Sequence, residues 1–418
     1  MTPDWQDLEL SSELIQVLLE EGLKKPTRIQ QLVIPHALEL KDIFATSPTG
    51  TGKTLAYLLP VFQYLVDFPR SKPGSARALV LAPTRELANQ IGLWAEKLGK
   101  ATGLKSLTIT GGVNYGSHLG EMEKNLDIVI ATPGRLIDYL AAEQFSAHEL
   151  ELMVLDEGDR LLDMGFRGAV EQIQSEAPHL KQRFLFSATN DDHSLRAFSK
   201  AALNAATVID AEPPKRERGK ITQWLHIADT LEHKVALLSR TLKEYTGRVL
   251  VFVKKRERVH EVHALLQREG FNCLFLEGEL PQDERQKRLA AFHSLRSRIL
   301  VATDVAARGI DVPDVELVVN FDLPVKGDTY VHRIGRTGRA GKKGTAISLV
   351  EAHDAIYLGR IEKYLGQKIE RRFIKDLRPQ FKFPEPDKIA KKKSKAKKVK
   401  KKEAKKKAAT KKPSKPKK

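Results

Sequence analysis

Short runs of four to six residues rich in Val, Ile and Leu recur along the chain, separated by segments whose apolar positions fall three and four apart. In the first half the runs cover residues 42–45, 78–82, 127–131, 152–155 and 183–186. Runs of this length predict strands buried on both faces, while the spacing over 85–100 and 134–143 predicts helices. The second half repeats the layout, with runs at 248–253, 272–276, 297–302, 316–321 and 345–350 and a helical spacing over 256–269. Strand and helix alternating in this way predict an α/β fold: two tandem domains, each a parallel sheet covered by helices on both faces. The polar, proline-containing stretch at 212–219 marks the junction. The expected organisation is a first domain over 1–210, a linker over 211–220, a second domain over 221–380 and a tail over 381–418.

The polar positions carry more information than the strand count. Nearly every predicted strand ends in a polar cluster: SPTGTGKT, APTRE, TPGR, DEGD and SAT in the first half, ATD in the second. In open parallel sheets ligands bind outside the carboxyl ends of the strands. Clusters placed there repeatedly describe a composite site in each domain.

Charge changes the picture only at one end. The 418 residues carry a net +18, but residues 388–418 hold 18 lysines and a single acid, Glu403, so the rest is close to neutral. A lysine run without aromatics buries too little surface to fold alone. It is expected to be a disordered basic arm that binds RNA phosphates without sequence preference, the alternative being a solubilising tail. No run of about 18 apolar residues is present, so no spanning helix is expected. The N-terminus lacks a basic region followed by an apolar one, so no secretory signal is expected either. Cys273 is the sole cysteine; disulfides and cysteine zinc sites are excluded, and a reducing, cytoplasmic setting is expected.

The chemistry begins at Ser47-Pro48-Thr49-Gly50-Thr51-Gly52-Lys53-Thr54, between a predicted strand and a predicted helix. Glycines there let backbone amides curl around phosphates, Lys53 adds a point charge and Thr54 can hold magnesium. Such a loop needs a carboxylate at the end of a neighbouring strand. Asp156 and Glu157 stand there, Asp156 for the magnesium shell and Glu157 to orient or deprotonate water. Positive charge for the transferring phosphoryl group is expected from His332-Arg333-Ile334-Gly335-Arg336-Thr337-Gly338-Arg339, reaching ATP held by the first domain.

Together these clusters resemble the DEAD-box RNA helicases, in the family's order over roughly residues 5–375. The resemblance implies two RecA-like domains, magnesium with ATP as substrate, and RNA as partner. It implies that Trp5, Thr27 and Gln30 form the adenine-reading segment, with Trp5 where the family usually has Phe. Pro83, Thr84, Arg85, Gly112, Thr132, Pro133, Gly134 and Arg135 match its RNA-backbone segments; Gln282, Arg285 and Thr303 match the RNA side of the second domain. Asp159, Ser187, Thr189 and His332 match positions that couple hydrolysis to closure. Asp311 is implied to contact the ribose, and Arg336 and Arg339 to be the arginine fingers. Three departures stand out: Gly158 in the signature where the family has Ala, Ser47 ahead of the loop, and Glu277 where many members have His. Within the family, 255–261, 276–279 and 351–354 are similar to a bacterial branch, which implies work on ribosomal RNA in large-subunit assembly and contacts with pre-ribosomal particles.

The RNA segments offer amides, hydroxyls and arginine, which grip phosphate and ribose and leave bases unread. RNA-stimulated ATP hydrolysis coupled to separation of short RNA duplexes is therefore the expected activity, by a monomer acting away from membranes. An ATP-gated RNA clamp with weak unwinding, or a DNA helicase on the same core, are the alternatives.

Overall fold

The computed structural model describes residues 4–48, 50–112, 115–122, 125–188, 193–211, 221–278, 280–307, 315–338 and 343–384. They divide into two compact units, the change falling near residue 220.

The first unit is built on β1 (Ile43–Thr46), β2 (Ala78–Leu81), β3 (Ser106–Ile109), β4 (Ile128–Ala131), β5 (Leu152–Leu155), β6 (Gln182–Ser187) and β7 (Thr207–Asp210). All neighbours pair in parallel, in the order β3-β4-β2-β5-β6-β1-β7. Alternate side chains of each strand face opposite layers. Ile43, Ala45, Val80, Ile130, Val154 and Phe186 join one buried layer, with residues from helices Ser12–Glu20, Arg28–Leu38, Lys53–Asp67 and Arg85–Thr102. Phe44, Leu79, Leu81, Val129, Met153 and Leu185 join the other, with helices Pro133–Ala141, Arg167–Ser175 and His193–Ala202. Both faces are dry, which is why these strands read as unbroken apolar runs.

The second unit is built on β8 (Ile221–Ile227), β9 (Arg248–Val253), β10 (Cys273–Leu276), β11 (Ile299–Thr303), β12 (Val315–Asn320), β13 (Gly344–Val350) and β14 (Glu370–Arg371). Its order, β10-β11-β9-β12-β13-β8-β14, repeats the first sheet strand for strand. One face packs on helices Leu231–Glu244 and Arg256–Arg268, the other on Gly327–Ile334 and Ala355–Leu365.

All ten predicted strands are present, two of them with the predicted ends and the others with ends shifted by at most two residues. Four more are not apparent as apolar runs. β3 is half-buried along most of its length, β7 alternates as an edge strand, β8 mixes polar with apolar residues, and β14 is two residues long. Among the described residues no helix is long and apolar enough to cross a membrane.

Candidate functional site

The order of the first sheet sorts the motif residues into two groups. Neighbours β3, β4 and β2 end at Gly111-Gly112, Thr132–Arg135 and Pro83–Arg85, the segments assigned to RNA. Neighbours β5, β6 and β1 end at Asp156-Glu157, Ser187 and Ser47–Thr54, the segments assigned to ATP. The carboxyl edge of one sheet therefore carries, side by side, the segments expected to hold nucleotide and those expected to hold RNA, referred to below as its nucleotide half and its RNA half.

In the nucleotide half, Gly50 and Gly52 have φ of 79° and 94°, the left-handed region that glycine enters without strain. A Cβ on Gly52 would lie 2.6 Å from Gln30 Nε2 and 3.1 Å from Thr27 Oγ1. That bare backbone lets the segment expected to read adenine close on the loop: Gln30 Nε2 donates to the Gly52 carbonyl at 3.1 Å, and Gln30 Oε1 accepts from Thr27 N at 2.7 Å. Lys53 is buried and its ammonium donates to the Ser47 carbonyl at 2.8 Å. The Ser47 and Thr51 hydroxyls lie 2.6 Å apart, and Thr51 also donates to the Pro48 carbonyl at 2.8 Å. Ser47 thus does more than adjust packing, since its hydroxyl braces the loop. Pro48 and Thr54 are half-buried beside it, and Thr49 lies outside the described residues.

Asp156 is buried at the end of β5. Its two carboxylate oxygens accept from Tyr57 Oη at 2.8 Å and from Glu157 N at 2.8 Å. Burial pushes its carboxyl up, and the Lys53 charge opposes that shift. Glu157 has φ 47° and ψ 52°, a left-handed conformation costing a side-chain-bearing residue about 1–3 kcal/mol. Asp159 is also buried, with its carboxyl raised by desolvation, and accepts from Ser187 Oγ at 3.0 Å. Ser187 in turn accepts Ser47 N on its carbonyl at 3.1 Å. One buried serine therefore joins the phosphate loop to the signature tetrapeptide. Thr189 lies outside the described residues.

Trp5 is buried, and its indole N–H donates to the Leu23 carbonyl at 2.7 Å. It anchors the segment leading to Pro26–Gln30. Tyr57 is the residue that the motif pattern did not single out. Its ring reads as helix core, and only the fold shows its hydroxyl on Asp156, with Thr54 also in hydrogen-bonding reach.

In the RNA half, Thr84 caps helix Arg85–Thr102 by accepting Leu87 N at 3.3 Å, next to the buried Pro83. Arg85 lies against Gly112, where a Cβ would come within 1.6 Å of its guanidinium. Thr132 Oγ1 accepts Gly111 N at 3.4 Å, tying the β3 and β4 ends together. Pro133 opens its helix, Gly134 is exposed, and Arg135 sits 5.8 Å from the Tyr115 ring centre and 5.9 Å from that of Tyr139.

In the second unit Thr303 ends β11 and accepts Ala306 N at 3.3 Å. Asp304 grips Arg333 through both oxygens at 2.6 and 2.8 Å, and Arg333 also donates to Asn320 Oδ1 at 3.2 Å. Of the arginines expected to face phosphate, Arg333 is thus turned inward and buried. His332 and Arg336 are half-buried beside it, while Arg339 and Asp311 lie outside the described residues. Glu277 is buried in a cluster with Arg256 at 2.7 Å and His260 at 3.0 Å. Burial works against its ionisation, but those partners hold its carboxyl below the usual range.

Among the described residues no cluster of three or more His, Cys, Asp or Glu could hold a metal alone. The donor set nevertheless fits magnesium, which takes few protein oxygens and completes its shell with phosphate and water.

Two family models match: DEAD/DEAH box helicase over residues 27–198 and helicase conserved C-terminal domain over residues 233–341. The chain is 50% identical over 381 residues to the ATP-dependent RNA helicase SrmB of Escherichia coli, covering 91% of this chain and 86% of that protein. It is 39% identical to the ATP-dependent rRNA helicase rrp3 of Neosartorya fischeri, over 88% of this chain and 77% of that protein. Among solved structures it is similar to Saccharomyces cerevisiae Dbp5 bound to RNA and ADP-BeF3. That match has a TM-score of 0.78 and 30% identity, covering 93% of this chain and 99% of that one.

Proposed function

We propose, for a chain that belongs to the DEAD-box family of ATP-dependent RNA helicases, that its substrate is ribosomal RNA and its work the opening of short duplexes during large-subunit assembly. The observation carrying this reading is the sorting of the motif segments along one sheet edge into two groups, those at β5, β6 and β1 and those at β3, β4 and β2. Chemistry at β5, β6 and β1 is thereby linked through the sheet to grip at β3, β4 and β2. The ribosomal assignment is supported by the relatives named as rRNA helicases.

In this reading Gln30 and Thr27 select adenine, and the amides of Ser47–Gly52 with Lys53 hold the phosphates. Thr54 and Asp156 would hold magnesium, which when bound supplies positive charge to the β- and γ-phosphates. Glu157 orients water and takes its proton, while Arg336 and Arg339 stabilise charge on the transferring group. Asp159, Ser187, Thr189 and His332 pass the state of the nucleotide to the RNA segments. Arg85, Arg135, Gly112 and Thr303 grip the RNA backbone, and Asp311 the ribose. The two RecA-like domains are taken as 1–210 and 221–380, in a cytoplasmic monomer. Opening a duplex costs about 1–2 kcal/mol per step, so one ATP cycle reaches only a few base pairs.

The test is steady-state ATP hydrolysis with no nucleic acid, with single-stranded RNA and with matched DNA. Stimulation by RNA and not by DNA supports the reading. Equal stimulation by both favours a DNA-capable enzyme, and stimulation by neither with ATP bound favours an RNA clamp.

A further inference from the structure

Residues 370–384 follow the last helix of the second unit and, beyond the two residues of β14, form no regular element. Their backbone is nonetheless fixed. Arg372 N donates to the Leu225 carbonyl at 2.9 Å, and the Arg372 carbonyl accepts from His226 Nδ1 at 2.8 Å. The Leu377 carbonyl lies 3.1 Å from His233 Nε2, and the Asp229 carboxylate accepts Gln380 N at 2.6 Å and Phe381 N at 3.2 Å. Ile374 and Leu377 pack on one core layer, and Phe383 is buried in the other.

Against this pinned backbone Phe373 and Phe381 are held in solvent, 53% and 71% exposed. Fully burying a phenylalanine contributes about 1.5–3 kcal/mol, so two rings held out on a fixed segment have that much to offer a partner. The partner's charge is set by what lies between and beside them. Arg371, Lys375, Arg378 and Lys382 are exposed, and Asp376 is the only acid in 371–383. Arg372 stacks 4.1 Å over Trp224 and pairs with Glu370, which holds the start of the segment in place. Beyond Glu385 and Asp387 begins the stretch with 18 lysines, a second basic segment close by in the chain. Aromatic faces interleaved with cations are the chemistry that takes single-stranded nucleic acid, bases on the rings and phosphates on the cations.

We infer that residues 371–383 form a second single-stranded RNA site, with bases stacking on Phe373 and Phe381 and phosphates held by Lys375 and Arg378 between them and Arg371 and Lys382 beside them. The inference rests on RNA being the substrate. The site differs from the grip on the first unit in using bases as well as backbone, and stacking of this kind is tolerant of sequence. It retains a strand between ATP cycles, because none of its residues belongs to the nucleotide machinery.

The experiment uses the full chain and a Phe373→Ala/Phe381→Ala double variant, without nucleotide. Binding of a fluorescein-labelled oligouridine 12-mer is compared with binding of an abasic oligomer of the same length. The double variant is expected to bind oligouridine about tenfold or more weakly, with abasic binding and melting temperature unchanged. A Phe373→Tyr/Phe381→Tyr variant is expected to keep wild-type affinity. Equal oligouridine affinity in wild type and double variant, in an enzyme that RNA stimulates, would overturn the site alone. An equal loss for both oligomers would overturn stacking as its basis. Absence of RNA stimulation in the wild-type chain would overturn the substrate reading with it.

Discussion

The hydroxyl of Tyr57, on the helix that follows the phosphate loop, donates to a carboxylate oxygen of Asp156 across 2.8 Å in the buried middle of the first unit. A desolvated carboxylate needs its lone pairs satisfied, and a hydrogen bond to a charged group contributes about 1.5–3 kcal/mol. Tyr57→Phe is expected to lower the melting temperature by several degrees. It is also expected to raise severalfold the magnesium concentration for half-maximal binding of a fluorescent nucleotide. Calorimetry and a magnesium titration check the two effects. A melting shift alone would make the bond structural only.

Glu157 reaches its position through a left-handed backbone that its neighbours must impose. Glu157→Gln keeps the size and removes the base. ATP and RNA binding are expected to persist while turnover falls by 10²-fold or more. Single-turnover hydrolysis with a filter-binding control measures this; near-normal turnover would remove Glu157 from its proposed role.

The glycine in the signature matches its surroundings. A Cβ on Gly158 would lie 2.3 Å from a methyl of Leu185, itself fully buried on β6. Gly158→Ala is therefore expected to destabilise the first unit by about 1 kcal/mol, through overpacking that outweighs alanine's better helix propensity. Adding Leu185→Val is expected to recover part of the loss. Denaturant titrations of the single and double variants form the cycle that tests this coupling.

Acid sensitivity of the first unit centres on Glu151. Burial alone would raise its carboxyl, yet hydrogen bonds from Arg77, Lys181 and Tyr64 bring it down to about 2. A folded-state value below the ordinary 4.5 contributes stability that is complete above that value and is lost as pH falls from there towards 2. Glu151→Gln is expected to be less stable at pH 7 and to lose less on acidification across that window. Melting temperatures measured at several pH values give the two slopes.

How much of this was legible beforehand follows from burial. Strands dry on both faces, such as β1 and β5, announce themselves as apolar runs, and the polar turns beyond them carry the motifs. β3 and β7 lie at the margins of their sheet and escape that signal. Ser47 and Glu277 looked like local departures. Their partners, Thr51 for one and Arg256 with His260 for the other, make each part of a small network. Tyr57 and Leu185 were invisible as functional neighbours because their partners are 99 and 27 positions away in sequence. Arg333 illustrates the converse: its motif points to phosphate, and the fold commits it to Asp304.

Because the second sheet repeats the strand order of the first, β8 and the helix Leu231–Glu244 occupy the place that β1 and the helix Lys53–Asp67 hold in the first unit. Where the first unit opens a six-residue glycine-bearing loop, the second has only Ala228-Asp229-Thr230. Asp229 there accepts amides from residues 380 and 381 of its own chain. At the turn where the first unit carries its glycine-bearing loop, the second carries an acid that binds its own chain. The duplicated architecture thus changes sign at a single turn: a buried ammonium, Lys53, closes on the loop in one copy, and a carboxylate, Asp229, accepts backbone amides in its twin.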